Sequence, residues 1–211
     1  MIGGVVTGPD GLPVDHVQLE AVLAEVYDAT TRTIPGLRAA TDAAGRFGFE
    51  GLPPGRYLVS VNLIMGPTDY SPWPRLLHPG TAARESASVV ELAAGQHLDI
   101  GVMRLPPRLQ RVDVSGTLTW PDGKPAGGVT VLGQCRLDGR PADSHAASTD
   151  STGRFTIMLM ESLSCELRAT VGEAGKPADA TARFGPLLVT RASMPPLRIV
   201  LTPTAERRPP Q

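Results

Sequence analysis

The chain has 211 residues, 41% of them hydrophobic, with 23 glycines and 21 prolines spread along it. That length accommodates two domains of roughly 100 residues, and the even spread of breakers predicts short strands joined by turns rather than long helices. Twenty basic against 21 acidic residues leave a net charge of −1, which excludes a field strong enough to steer nucleic acid or an anionic membrane.

In chain order, the first strand is expected to end at Pro9-Asp10-Gly11. Proline presets φ in such a turn, aspartate bonds the backbone ahead, and glycine accepts positive φ. The stretch Val17 to Val26 fits a helical spacing through Leu19, Val22, Leu23 and Val26, and a period of two through Val17, Leu19, Ala21 and Leu23. Its place between two strand-forming turns favours a strand. Thr41-Asp42-Ala43-Ala44-Gly45-Arg46-Phe47 reads as a hairpin releasing a strand through Phe49. Leu52-Pro53-Pro54-Gly55 then turns the chain into Tyr57 to Leu63, which alternates with period two. After a proline-rich loop, Gly66 to Arg75, the last strand of this half is expected at His97 to Leu105, stopped by Pro106-Pro107.

The pattern then starts again. Gly116, Pro121-Asp122-Gly123 and Pro125 repeat Gly4, Pro9-Asp10-Gly11 and Pro13 at an offset of 112 residues, and Thr149-Asp150-Ser151-Thr152-Gly153-Arg154-Phe155 repeats the Thr41 block at an offset of 108. Two blocks in the same order predict duplication of a whole domain, with copies at 1–107 and 108–203 and a disordered tail at 204–211. In the second copy, Val129, Val131, Gly133 and Cys135 share one strand face; Cys165, Leu167, Ala169 and Val171 share another. The final strand is expected at Leu197 to Leu201, ahead of Pro203.

The Asp-Gly-x-Pro turn, the Thr-Asp-x-x-Gly-x-Phe hairpin and Leu52-Pro53-Pro54-Gly55-Arg56-Tyr57 together resemble the carboxypeptidase regulatory-like domain. His78-Pro79-Gly80-Thr81 and Ala94-Gly95-Gln96 are similar to segments of its bacterial members. The resemblance covers nearly all of the first copy and the second up to Phe155, after which Met160-Glu161-Ser162-Leu163-Ser164 replaces the Pro-Pro-Gly turn. It implies an all-β fold of two tandem Greek-key antiparallel β-sandwiches, transthyretin-like (prealbumin-like, Ig-like), and a non-catalytic structural or interaction role in an exported or envelope-associated bacterial protein. Among the relatives of that fold are carbohydrate-binding modules.

Cys135 and Cys165 both face the core of the second copy, on strands a sandwich can bring together. They are read as a disulfide, which the exported family supports, against two buried free thiols in a reducing compartment. A Cys–His nucleophile with His145 would need an accessible thiol of lowered pKa, and these positions read as core. His16, His78, His97 and His145 are dispersed without metal-ligand spacing, and Asp42 and Asp150 recur as turn-formers. No metal, no cofactor and no catalytic residue is therefore expected; the chain is read as a non-enzyme. Arg104, Arg108 and Arg111, the densest basic cluster, read as a solvated linker.

One loop carries a ligand-binding expectation. An exposed Trp73 beside Tyr70 would stack on a pyranose ring while Asp69 and Arg75 bond its hydroxyls; the competing reading has Trp73 folding back over the sandwich. Expected partners are thus a polysaccharide or another protein, with no nucleic acid and no membrane insertion, since no apolar run approaches the roughly 20 residues that span a bilayer. Met1-Ile2-Gly3-Gly4 lacks the n- and h-regions of a signal peptide. The family nonetheless points to an extracellular, periplasmic or envelope location, with the chain expected to be part of a longer protein.

Overall fold

The computed structural model describes residues 1–28, 36–64, 66–172, 178–192 and 194–204. Two compact units divide the chain, Met1–Leu109 and Gln110–Gln211. Beyond Thr204, the tail expected to be disordered lies outside the described residues.

The first unit contains β1 (Ile2–Thr7), β2 (Gln18–Leu23), α1 (Ala24–Asp28), β3 (Gly36–Ala40), β4 (Arg46–Phe49), β5 (Gly55–Val61), β6 (Leu76–Leu77), β7 (Val90–Leu92) and β8 (Leu98–Arg104). They form a sheet of order β4-β1-β8 and a second of order β3-β2-β5-β6, in which β7 also pairs with β5. The second unit runs β9 (Arg111–Thr119), β10 (Thr130–Leu137), β11 (Arg140–Ser148), β12 (Arg154–Met160), β13 (Ser164–Val171), β14 (Ala180–Leu188), β15 (Leu197–Val200) and β16 (Thr202–Pro203). Its sheets have orders β12-β9-β15 and β11-β10-β13-β14-β16. The chain is an all-β sandwich protein. Among the described residues, all ladders are antiparallel except two: β8 runs parallel to β1, and β15 parallel to β9.

The repeated blocks make the same contacts in each unit. The Gly11 amide donates to the Gly8 carbonyl at 3.0 Å, and the Gly123 amide to the Trp120 carbonyl at 2.9 Å. Thr41 is buried; its hydroxyl donates to the Val14 carbonyl at 2.7 Å and accepts from the Val17 amide at 2.9 Å. Thr149 does the same with Ala126 and Val129, at 2.7 and 2.9 Å. The Asp42 carboxylate accepts from the amides of Ala44 and Arg46, and Asp150 from those of Thr152 and Arg154. Gly45 and Gly153 stand at φ of 71° and 74°, where an added Cβ would come within 2.5 Å of the Val6 carbonyl oxygen and 2.4 Å of Leu118's. Strain and collision thus both require glycine there. Gly4 and Gly116 give up their side chains for another reason: the Phe47 and Phe155 rings lie 3.0 and 2.6 Å from where a Cβ would stand.

Ile2, Val6, Leu19, Phe47, Phe49, Val59 and Met103 fill the inner core of the first unit. The strand expected from Tyr57 alternates in chemistry but not in burial, since every residue from Tyr57 to Leu63 is buried. A second cluster explains it: Val22, Ala24, Leu58, Leu63 and Leu77 pack on the outer face of the same sheet. The stretch Val17 to Val26 divides between the two periods it fits. It is strand to Leu23 and helical from Ala24, the helical turn placing Ala24 in that outer cluster.

Candidate functional site

The loop Gly66 to Arg75 splits the four residues expected to bind ligand. A turn closes between Thr68 and Ser71, each amide donating to the other's carbonyl at 3.2 and 3.1 Å, and its tip lifts Tyr70 to 92% exposure. Asp69 is exposed beside it. Trp73 instead points inward, 4% exposed within the core cluster, with the Arg108 guanidinium 5.1 Å above its ring. Arg75 is buried as well, 8% exposed. The expectation of Trp73 as an open stacking face is therefore corrected. A large indole in a proline-rich loop gains more from core burial than from exposure, and Arg108 covers what would remain.

Asn62 holds this loop down. It stands at φ of 56°, and its side-chain amide donates to the carbonyls of Ser71 at 2.9 Å and Trp73 at 2.6 Å. Next to it is a residue that sequence reasoning missed. Glu20, on β2, is 4% exposed, and its Oε2 accepts from the Leu63 amide at 2.7 Å, the Ile64 amide at 3.3 Å and the Ser60 hydroxyl at 3.5 Å. Backbone donors of this kind make a buried carboxylate tolerable. The sequence signal was a glutamate inside an apolar strand, indistinguishable there from a solvated outer position. Glu20, Arg38, Asn62, Thr68, Tyr70 and Ser71 surround a cleft of about 310 Å³. Ser71 forms part of its wall, and the Ser71 hydroxyl, shielded from solvent, has no hydrogen-bond partner among the described residues.

In the second unit Cys135 and Cys165 lie directly opposite each other on β10 and β13, their Cα atoms 4.0 Å apart, and are joined by a disulfide. Asp143, opposite Cys135 on β11, accepts from Arg111 Nη1 at 2.7 Å and lies 3.5 Å from His145 Nε2. The basic cluster expected as a solvated linker is thus divided: Arg108 covers Trp73, and Arg111 is a strand residue paired with Asp143. Glu161 takes a fork from the Arg191 guanidinium and a bond from the Gln110 amide at 2.8 Å. The Arg191 hydrogen bond holds the Glu161 carboxyl below the usual carboxylate range. In the first unit, burial holds His78 below the ordinary imidazole pKa, with its Nδ1 unpartnered among the described residues.

His16 and His97 stand apart from these residues. Among the described residues no three His, Cys, Asp or Glu side chains come together as a metal site. No described helix is long and apolar enough to cross a membrane.

No family model matches the sequence, and no curated protein matches it. Among solved structures, the fold is similar to a streptococcal ancillary pilin at 14% identity and a TM-score of 0.50, covering 96% of this chain and 62% of that one. The chain therefore spans less than two thirds of that pilin's length. It is equally similar to the minor pilin of the Gram-positive pathogen Streptococcus agalactiae, at 14% identity and a TM-score of 0.50, over 100% of both chains. What these likenesses share with the chain is the β-sandwich fold.

Proposed function

We propose that the chain is a non-catalytic structural stretch of a bacterial envelope protein, made of two copies of a carboxypeptidase regulatory-like module. Its work is to fold firmly and to present loops and sheet edges to other proteins. The observation that carries this reading is the sandwich likeness to the minor pilin over the full length of both chains. Duplication is supported by the matched bonds of Thr41 and Thr149 and of Asp42 and Asp150. Placement outside the cytoplasm is supported by the Cys135–Cys165 bridge, a bond that persists in oxidising compartments. The fold alone does not specify function, so the test is cellular. Antibody labelling of intact cells should reach the protein, and acid-trapped material should contain no free Cys135 or Cys165 thiol. Recovery solely from the cytosol with both thiols free would overturn the reading.

A further inference from the structure

We infer that the cleft beside Tyr70 is a binding site for one neutral saccharide ring, recognised by Glu20, Arg38, Thr68 and Ser71 with Tyr70 as its open lip. This goes beyond the structural role above and does not rest on it. It also differs from the loop site expected from sequence, because Trp73 and Arg75 are buried and take no part.

Size is the first argument. About 310 Å³ falls at the small end of ligand pockets, enough for one ring and not for a chain of them. Charge is the second. One carboxylate, Glu20, and one guanidinium, Arg38, line the cleft, so it has no net charge and favours a neutral occupant over an acidic or basic one.

Hydrogen-bonding character is the third. Oε2 of Glu20 is engaged with the backbone, which fixes the carboxylate as an acceptor. Arg38, directly across the ladder from Glu20 and exposed, offers only donors. Ser71 lines the cleft, and its hydroxyl is shielded from solvent and without a partner among the described residues; a buried polar group left unpaired costs free energy, which a ligand hydroxyl recovers once the Ser71 side chain turns toward it. Acceptor, donor fork and hydroxyl in one small cleft match a ring bearing several hydroxyls, each able to donate and accept. Tyr70, 92% exposed at the rim, supplies an apolar face for the ring's C–H side.

The test is a ¹⁵N–¹H NMR titration of the whole chain with the methyl glycosides of glucose, galactose, mannose and N-acetylglucosamine, with lysine amide as a cationic control. So few contacts predict affinity in the millimolar range. One of the glycosides should shift the Leu63, Ile64 and Ser71 amides saturably. Tyr70→Ala and Arg38→Ala, both at exposed positions that spare the fold, should each weaken the response about fivefold to tenfold. The inference is overturned if none of the four glycosides produces a saturable shift. It is equally overturned if the shifts survive both variants unchanged, or if lysine amide alone produces them.

Discussion

The same pair of strand positions is treated in opposite ways by the two units. In the first, Val22 on β2 faces Leu58 on β5, outside the inner core, and both are fully buried. At the matching place in the second, Gln134 on β10 faces Glu166 on β13, and Glu166 is bonded to Arg168 at 2.8 Å with Arg183 3.7 Å away. What differs is the chain that follows. After β5 it supplies Leu63 and Leu77 to cover that face with Ala24, whereas after β13 it returns as β14, a long ladder strand. Inner positions, held by matched turns and threonine bonds, keep their character in both units. Outer positions become apolar only where something covers them. One step along, the pair Leu23–Tyr57 of the first unit, with Tyr57 buried and Leu23 exposed, corresponds to the buried disulfide of the second.

Four experiments would break or sharpen this comparison, each using urea unfolding with Trp73 reporting the first unit and Trp120 the second. The largest effect is expected at the bridge. Replacing Cys135 and Cys165 together by alanine frees a loop with a sequence separation of 30 and should lower the stability reported by Trp120 by about 3–4 kcal/mol. An unchanged midpoint would show that the bridge is incidental. Next, Leu58→Ala opens a hole in the outer cluster and should cost about 3 kcal/mol on the Trp73 curve. Glu166→Ala, at the matched position, should barely move the Trp120 midpoint, because a half-buried ion pair at the surface contributes little. Similar losses at both would mean that the outer faces do not differ as described.

Smaller still, Thr41→Val and Thr149→Val each strand a buried amide and carbonyl and should each cost about 2 kcal/mol. Matching losses sharpen the view of one device used twice; a large loss in only one unit breaks it. Acid should separate the units most gently. His78 is held below the ordinary value of about 6.5 by burial, so the unfolded chain binds the proton more readily. Its contribution is whole above about pH 6.5 and is lost as pH falls through the lower folded value. Glu161, depressed by Arg191, contributes above the ordinary carboxylate value of about 4.3 and loses that contribution only below it. The Trp73 midpoint should therefore begin to fall at a higher pH than the Trp120 midpoint, a difference that His78→Gln should narrow. Coincident acid transitions in the wild-type chain would refute this ordering.

Much of the fold could be read from turn chemistry. Pro-Asp-Gly and Thr-Asp-x-x-Gly specify backbone geometry through local forces, so they announce strand ends without knowledge of the rest of the chain. The inward phenylalanines, Phe47 and Phe155, follow from the same blocks. What escaped depends on contacts distant in sequence. Tyr57 to Leu63 alternates in chemistry, but Ser60 and Asn62 are buried beneath a covering that a periodicity cannot reveal. The cleft was legible only in Tyr70. Glu20 reads as an outer strand residue until Leu63 and Ile64 bring their amides to it, and Trp73 could not declare its direction because nothing local fixes it.

The parallel pairing of β1 with β8 and of β9 with β15 has a mechanical consequence. With β8 parallel to β1, matched from Ile2–Leu98 to Thr7–Arg104, the chain enters this sandwich at one end of the ladder and leaves at the other. β15 lies beside β9 in the same sense, from Gly116–Leu197 to Thr119–Val200, with only the short β16 described after it. Tension applied through the backbone would pull these neighbours past each other along their length. Their ladder bonds would then be loaded in shear, sharing the force together, instead of peeling open one at a time as in a hairpin pulled from its two ends.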